Sequence, residues 1–509
     1  MLKSIIWADK PPVREALMPN FFIDLNLDQI VYKINSLRKH YDVRKLYYML
    51  PENKETLNMR RDVFSDIKKP EIFEAFCNYS EAMKNVRDYL DYSEEIDFEP
   101  QKAVLFVTAA SYYCKAVEII TGLKDMVSSE ELKKLVKLVE EYASAEEYRI
   151  FRDSTSALYE EIKAFFYRIS LTRDNFTIKS LKGESDYFEK IKRAFPQAEN
   201  NGFESPFKHR RTLSHMETEA YHAIAKAHPE CIKKCKEFLV THAEFCESAF
   251  TDLEFELQLY LSFYIFESYM EENGFSFTTP EINSLIDAEG VYDIALALTL
   301  FNHERPVIDN TVSMNEGEKF LVVTGPNQGG KTTYARSIGQ LIYFTMMGLD
   351  VAAKKASVPF FEGILTHFSV EESTETGQGK LKEELTRLAP MMSGNAQNCF
   401  VILNELFTTA ATYDAAIMGR RVMNHFTGNG CIGIYVTHIK ELASGDGVVS
   451  LVAVVDENDY HRRLYKMVRK PADGIGYAGT LVEKYGLTYD MLIDKFGQSD
   501  LVWGKDNEN

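Results

Sequence analysis

Phe320-Leu-Val-Val-Thr-Gly-Pro-Asn-Gln-Gly-Gly-Lys-Thr-Thr333 is the stretch that decides the fold of this chain. It joins a strand-like apolar run to a glycine-rich loop and to the beginning of a helix-like segment, and it fits the pattern G-x-x-x-x-G-K-[ST]. Glycines let a backbone wrap closely round a phosphate, with successive N–H groups pointing inward. A glycine-rich turn that binds nothing would not explain Lys331 and Thr332 at the start of the helix. The stretch therefore predicts a nucleotide-binding loop.

Each part of this loop has an expected contact with ATP or Mg²⁺. Lys331 is expected to reach the β- and γ-phosphates, and the hydroxyl of Thr332 is expected to bind Mg²⁺. The helix that follows, over about 332–347, aims its N-terminus at the anion. The predicted nucleotide-binding residues of the loop are Thr324, Gly325, Pro326, Asn327, Gln328, Gly329, Gly330, Lys331, Thr332 and Thr333.

The composition is that of an ordinary globular protein, with 45% hydrophobic and 26% charged residues in 509. The net charge of −18 argues against a protein that coats nucleic acid or a membrane over its whole surface, although a local basic patch remains allowed. No run of 18 apolar residues predicts a membrane span, and the N-terminus lacks the apolar core of a secretory signal. Seven cysteines without framework spacing indicate a reducing compartment, so we expect a cytoplasmic protein.

The first half of the chain has helical periodicity. Apolar residues recur every three or four positions over 55–172, including 158–169, which predicts long packed helices. Residues 173–211 interrupt this pattern with a strand-like run at 175–181 and with nine Lys or Arg against six Asp or Glu. The sharpest basic cluster is Lys208, Arg210 and Arg211. It is either the surface of a solvated insertion or a tip that contacts nucleic-acid phosphate.

A second long helical arm is predicted over about 217–272. It contains Cys231, Cys235, His242 and Cys246, whose spacings of 4, 7 and 4 place them on one helical face. Such residues can bind zinc, but one straight helix cannot wrap four ligands round an ion when the outer two are about 22 Å apart. We therefore interpret the cysteines as small buried core residues.

Beyond residue 316 the pattern changes to short β-branched runs that alternate with helices. This rhythm is typical of a sheet flanked by helices and predicts an α/β C-terminal domain after a mainly α-helical region. The predicted strands are 320–324, 363–370, 399–404, 431–437, 451–456 and 464–469.

Three further motifs accompany the loop. Asn404 and Glu405 end an apolar strand about 75 positions after it, where ATPases place an acidic residue for Mg²⁺ and a glutamate that orients water. His438 ends the next buried strand and is well placed to sense a γ-phosphate. The run Thr376-Gly-Gln-Gly-Lys380 precedes a helix whose N-terminus is expected to hold a phosphate, possibly that of another subunit.

These motifs resemble those of the MutS family of DNA mismatch-repair ATPases. Residues 324–334 are similar to its TGPNxGGK[ST] phosphate loop, residues 404–414 to its Walker B and D-loop run, and Thr437-His438 to its switch histidine motif. The resemblance implies an ABC-type ATPase that works as a dimer, with two helical levers and a DNA clamp. The residues that it implies are Ile308 and Asn310 at the nucleotide, Thr376, Gly377, Gln378 and Gly379 as the signature loop acting in trans, Asp414 in the D-loop, Thr332 and Asn404 at Mg²⁺, and Glu405 and His438 in catalysis.

The chain also departs from the family pattern. Asn404 replaces the usual Asp, the signature stretch differs, and no aromatic residue stands at Val307, where the family stacks adenine. About 300 residues precede the loop, so we expect a short divergent member without the mismatch-recognition and connector domains. The predicted domains are 1–172 (helical core and first lever), 173–216 (insertion or reduced clamp), 217–285 (second lever), 286–498 (ATPase) and 499–509 (polar tail).

Two functions fit these observations. The first is a homodimeric, DNA-associated ATPase with slow turnover, whose nucleotide state moves the levers on double-stranded or structured DNA. The second is a nucleotide-switched module that binds a protein partner, hydrolyses ATP slowly or not at all, and recognises no mismatch.

Overall fold

The fold is described from a computed structural model of the chain. It describes residues 4–9, 15–38, 40–165, 167–171, 176–180, 215–301, 306–368, 380–394, 396–456, 463–472 and 486–496. The helices are α1 (Phe21–Asp24), α2 (Leu27–Leu37), α3 (Lys54–Ile67), α4 (Pro70–Glu95), α5 (Glu99–Thr121), α6 (Glu130–Ser144), α7 (Glu146–Lys163), α8 (His215–Ala227), α9 (Pro229–Thr241), α10 (Ser248–Glu272), α11 (Ile294–Phe301), α12 (Lys331–Met347), α13 (Lys380–Ser393), α14 (Thr412–Gly428) and α15 (Tyr489–Phe496). The strands are β1 (Tyr167–Leu171), β2 (Phe176–Ser180), β3 (Glu281–Ile282), β4 (Asp287–Val291), β5 (Asn310–Ser313), β6 (Phe320–Thr324), β7 (Lys355–Val358), β8 (Gly363–Phe368), β9 (Cys399–Asn404), β10 (Ile432–Val436), β11 (Val448–Val455) and β12 (Arg463–Arg469).

The chain folds into two compact units. The first contains Met1–Pro12 and Asp62–Leu261, and the second contains Val13–Arg61 and Ser262–Asn509. The limits between them fall within α3 and α10. The domain limits predicted from the sequence keep residues 1–172 together and stay a prediction. The assignment of residues 13–61 to the second unit is not visible in the sequence pattern.

The first unit is built from long helices whose apolar faces meet. Helix α5 packs along α4 and also contacts α6, α7 and α9. The core between them is aromatic, since the ring centroid of Tyr113 lies 5.2 Å from that of Phe250 and 5.4 Å from that of Phe245. By length and composition alone α5 could cross a membrane, and half of its apolar window is buried within the protein.

One helical prediction for this unit is wrong. Helix α7 ends at Lys163, and part of the run predicted as helical to residue 169 forms β1, which pairs antiparallel with β2. The second arm, predicted as lever helices, contains three helices, α8, α9 and α10. Pro229 occupies the first turn of α9, where its missing N–H is not needed, so a new helix begins there.

The cysteines of the second arm do not lie on a single helical face. Cys231 and Cys235 are buried in α9, as predicted, whereas His242 and Cys246 follow the end of that helix. The ring of His242 packs against Phe238 with centroids 4.6 Å apart. Within the described part of the chain, no group of three or more His, Cys, Asp or Glu could hold a metal ion.

The second unit is organised by a six-stranded sheet with the order β12-β11-β6-β10-β9-β8. All neighbours are parallel except β11 and β12, and all six strands match runs predicted from the sequence. Strand β9 is buried on both faces, as parallel strands covered by helices are. Val401 and Leu403 pack with residues of α13 and α14, whereas Ile402 faces α12. Helices thus cover both faces of the sheet.

A second sheet was not predicted. It has four short strands in the order β3-β7-β4-β5, and none of them is among the runs predicted as strands from the sequence. Its longest strand, β4, reads Asp-Ala-Glu-Gly-Val and buries only Ala288 and Val291. A strand this short and polar gives no apolar run to recognise.

Residues 20–27 are attached to the helix that follows the phosphate loop. Arg336 of α12 donates to the carbonyl of Asp24 at 2.9 Å, and Gln340 donates to the carbonyl of Leu25 at 2.9 Å. A Cβ on Gly339 would lie 2.5 Å from a methyl of Leu25, so only glycine permits this approach. The side chain of Asp24 also accepts from Thr366 of the edge strand β8 at 2.7 Å.

Candidate functional site

Three parallel strands end at the same edge of the six-stranded sheet. Strand β6 leads into the phosphate loop, β9 leads into Glu405, and β10 leads into Thr437 and His438. The register aligns Val436 with both Val323 and Asn404, so the three strand ends are level. In sheets of this kind, the carboxyl ends of the strands are where ligands bind.

The phosphate loop has backbone conformations that need glycine. Gly325 has φ +125° and Gly330 has φ +84°, and Gln328 is also left-handed at φ +60°. A Cβ on Gly325 would lie 3.0 Å from Ala453, and one on Gly329 would lie 2.9 Å from the carbonyl oxygen of Pro326. The loop is therefore closed by tight backbone contacts, as a phosphate cradle requires.

Lys331 is held inside the loop. Lys331 is the first residue of α12, and its side chain is 5% exposed. Its Nζ donates to the carbonyl oxygens of Gly325 at 3.1 Å and Pro326 at 2.9 Å. Burial lowers the pKa of this ammonium, while the negative charge of Glu405 opposes that shift. The cation therefore lies between the loop and the glutamate, where it can bind a phosphate.

Thr332 and Asn404 meet directly. The hydroxyl of Thr332 donates to Oδ1 of Asn404 at 3.0 Å, which joins the first turn of α12 to the end of β9. Asn404 is buried, so its amide is fixed by its surroundings. These are two neutral oxygen groups, and oxygen ligands suit Mg²⁺. A carboxylate at Asn404 would add the negative charge that this pair lacks.

Glu405 and His438 form the third contact at this edge. Oε1 of Glu405 lies 3.2 Å from Nε2 of His438, and both side chains remain partly exposed. The N–H of Glu405 donates to the carbonyl of Val436 at 2.9 Å, which ties the residue to β10. Its φ of +54° is left-handed, unusual for a glutamate. The backbone therefore turns sharply to present this carboxylate.

Ile308 and Asn310 are expected near the nucleotide, and that expectation stays a prediction. The side-chain amide of Asn310 bridges to β12, donating to the carbonyl of Tyr465 at 3.0 Å and accepting from the N–H of Met467 at 2.9 Å. Asn310 thus positions β12, whose Tyr465 ring lies against Gly330. Ile308 is partly exposed.

The remaining predicted residues lie on α14 or outside the described part of the chain. Asp414 is exposed in the first turn of α14, beside the exposed Tyr413. The signature residues Thr376, Gly377, Gln378 and Gly379 lie outside the described residues, as do the basic residues Lys208, Arg210 and Arg211.

One buried group near the site was missed by the sequence analysis. Glu384 of α13 is 5% exposed, and its Oε2 accepts from the N–H of Phe407 at 3.1 Å. The sequence does contain a signal for it. Glu384 stands between Leu381 and Leu388, three and four positions away, on the apolar face of an amphipathic helix.

Comparison with known proteins shows similarity to MutS proteins in the region of the site. Residues 321–474 match the model of MutS domain V. The DNA mismatch repair protein MutS of Streptococcus uberis is 28% identical over 172 residues, which are 33% of this chain and 20% of that protein. The DNA mismatch repair protein MutS of Fervidobacterium nodosum is 28% identical over 244 residues, which are 43% of this chain and 28% of that protein. The matches thus cover about a quarter of these relatives or less.

Proposed function

The chain belongs to the MutS family, and we propose that it binds ATP with Mg²⁺ at the common edge of β6, β9 and β10 and hydrolyses it slowly. The observation that carries this proposal is the convergence of a buried lysine, a Thr–Asn pair and a Glu–His pair at level strand ends. The family relationship favours an ABC-type ATPase domain, because the matched domain V contains the phosphate loop, Asn404, Glu405 and His438.

Each side chain has a role in this proposal. Lys331 neutralises the β- and γ-phosphates, and the N–H groups of the loop and of the α12 N-terminus cradle them. Thr332 and Asn404 would hold Mg²⁺, which when bound neutralises charge on the phosphates. Glu405 orients the attacking water, and His438, whose Nε2 lies 3.2 Å from Oε1 of Glu405, holds that carboxylate in place. Turnover is slow because Asn404 contributes no charge to the metal site.

The test is ATP binding and turnover by the purified full chain. Lys331→Ala is expected to abolish measurable ATP binding, because it removes the buried cation while leaving the loop backbone in place. Lys355→Ala is the matched control, since Lys355 is an exposed lysine of the same unit, in β7. Equal ATP affinity in wild type and Lys331→Ala, measured by isothermal titration calorimetry, would refute the proposed site.

We further propose that two copies of the chain complete the site and that the ATP-bound dimer acts on DNA. The relatives are DNA mismatch repair proteins, which supports DNA as the partner. In this proposal the segment Thr376–Gly379 and Asp414 face the nucleotide of the second copy, and nucleotide state moves the helical levers. The basic residues Lys208, Arg210 and Arg211 contact DNA phosphate, so the affinity should fall as salt rises.

The second candidate is a nucleotide-switched module that binds a protein through the same levers. The net charge of −18 and the neutral Asn404 favour it. Reversing the charge of Lys208, Arg210 and Arg211 separates the two functions. The triple variant should lose binding to duplex, junction or mismatched DNA if DNA is the partner. If the wild-type protein shows no affinity for DNA at low salt, the DNA-associated function is refuted and the protein-binding function remains.

A further inference from the structure

The buried carboxylate of Glu384 lies behind the loop that carries Glu405. Glu384 belongs to α13, and its Oε2 accepts from the N–H of Phe407 at 3.1 Å. Phe407 follows Glu405 by two residues, so one carboxylate reaches the backbone beside the other.

A carboxylate is a costly group at this position. Leu381 and Leu388 on the same helix face pack into the core between α13, α14 and the sheet. A leucine or methionine at 384 would bury apolar surface there, whereas a buried charge has to be compensated by hydrogen bonds. In some proteins a buried charge of this kind specifies a geometry instead of adding stability. The hydrogen bond to Phe407 identifies that geometry.

The backbone held by Glu384 is strained. Glu405 has φ +54° and Phe407 has φ +62°, and neither residue is glycine. Conformations of this kind are unfavourable for residues other than glycine and persist only where the surroundings fix them. The loop is fixed from two sides, because the N–H of Glu405 donates to Val436 of β10 and the N–H of Phe407 donates to Glu384.

We propose that Glu384 is a positioning residue for ATP hydrolysis, which holds the left-handed turn at Phe407 and thereby directs the Glu405 carboxylate toward the nucleotide. This inference rests on the proposed function, in which Glu405 orients the attacking water. Without the acceptor, the N–H of Phe407 has to find another partner, and the turn relaxes. Glu405 then moves relative to Lys331 and His438, and a shift of about 1 Å in a reacting group can cost about 100-fold in rate.

The experiment compares two substitutions of nearly equal shape. Glu384→Met removes the acceptor and fills the same space, whereas Glu384→Gln keeps an acceptor oxygen and loses only the charge. Glu383→Ala is the matched control, since Glu383 is the preceding residue of α13 and is not buried. For each protein we would measure kcat and KM for ATP, the Kd for ATP, the melting temperature, and deuterium exchange of peptides covering 405–410.

We expect kcat of Glu384→Met to fall at least tenfold while its Kd for ATP stays within twofold of wild type. Its 405–410 segment should exchange faster, and Glu384→Gln and Glu383→Ala should resemble wild type in all measurements. A merely structural role would instead lower the melting temperature without changing kcat below it. The inference is overturned if Glu384→Met keeps the wild-type kcat, or if Glu384→Gln loses as much kcat as Glu384→Met. If wild type itself neither binds nor hydrolyses ATP, the proposed function fails, and exchange at 405–410 still reports whether Glu384 holds the turn.

Discussion

Two loops at the same sheet edge reach left-handed backbone conformations in different ways. The loop after β6 uses Gly325 and Gly330, with one left-handed Gln328 between them, so its shape follows from its own residues. The loop after β9 uses Glu405 and Phe407, which adopt positive φ because β10 and α13 hold their N–H groups. The backbone conformation of the first loop is determined by its own residues, whereas that of the second loop depends on hydrogen bonds to residues distant in sequence. Under the proposed function, the glycine loop binds ATP and the loop after β9 supplies the residue for hydrolysis, so substitutions in the two loops should have different effects.

The largest effect is expected in the second loop. Glu405→Gln should reduce ATP turnover by about 10²–10⁴-fold, because it removes the group that orients and activates water. ATP binding should persist, so the variant should accumulate as an ATP-bound dimer in analytical ultracentrifugation. Glu441→Gln, at an exposed glutamate after β10, is the control and should leave turnover unchanged. Turnover that persists in Glu405→Gln would assign the water to another residue.

The next largest effect is expected on ATP binding, from a substitution in the glycine-rich phosphate loop. Gly325→Ala should weaken ATP binding about tenfold or more, because alanine is strained at φ +125° and its Cβ would lie 3.0 Å from Ala453. Gly428→Ala is the control, since a Cβ there meets nothing within 4 Å. Titration calorimetry with ATP measures both. Wild-type affinity in Gly325→Ala would show that the loop does not need this conformation to bind.

A smaller effect on ATP turnover is expected from a substitution of Asn404, the neutral residue at the end of β9. Asn404→Asp should raise turnover and lower the Mg²⁺ concentration needed for half-maximal turnover, because a carboxylate keeps the Thr332 hydrogen bond and adds charge. Coupled ATPase assays over a range of Mg²⁺ measure both values. An unchanged or lower rate would remove Asn404 as the reason for slow hydrolysis.

The smallest effect is expected at the one non-glycine residue with positive φ in the first loop. Gln328 is exposed, and glycine relieves its left-handed strain while adding entropy to the unfolded chain. Gln328→Gly should therefore change the free energy of unfolding by less than about 1 kcal/mol. Urea unfolding and ATP titration should both match wild type. A large loss of affinity would give the Gln328 side chain a direct part in binding.

The contrast between the loops also explains what the sequence could predict. The strands of the six-stranded sheet and the residues of the phosphate loop are visible because each is a local pattern of apolar runs or glycines. Glu405 and His438 are visible because they end such runs. The contact between Thr332 and Asn404 follows from two motifs 72 positions apart that meet only when β6 and β9 take their places in the sheet.

Other features depend on tertiary contacts that no local pattern reveals. The position of Glu384 on the apolar face of α13 can be read from the sequence, but its hydrogen bond to the N–H of Phe407 forms only when α13 packs against the sheet. The four-stranded sheet consists of segments of two to five residues, too short for periodicity to identify. Proline is favoured in the first turn of a helix, as Pro229 is in α9. The helical periodicity continues on both sides of Pro229, so periodicity alone does not locate the end of one helix and the start of the next.

The attachment of residues 20–27 has a consequence for synthesis on the ribosome. Asp24 pairs with Arg336 and with Thr366, which follow it by 312 and 342 residues. The segment therefore leaves the exit tunnel long before its binding surface exists, and the second unit cannot close until β8 has been translated. At about 5–20 residues per second, the wait is roughly 17–70 s. Throughout that interval the apolar side chains of Phe22 and Leu25, buried in the folded protein, are available to chaperones.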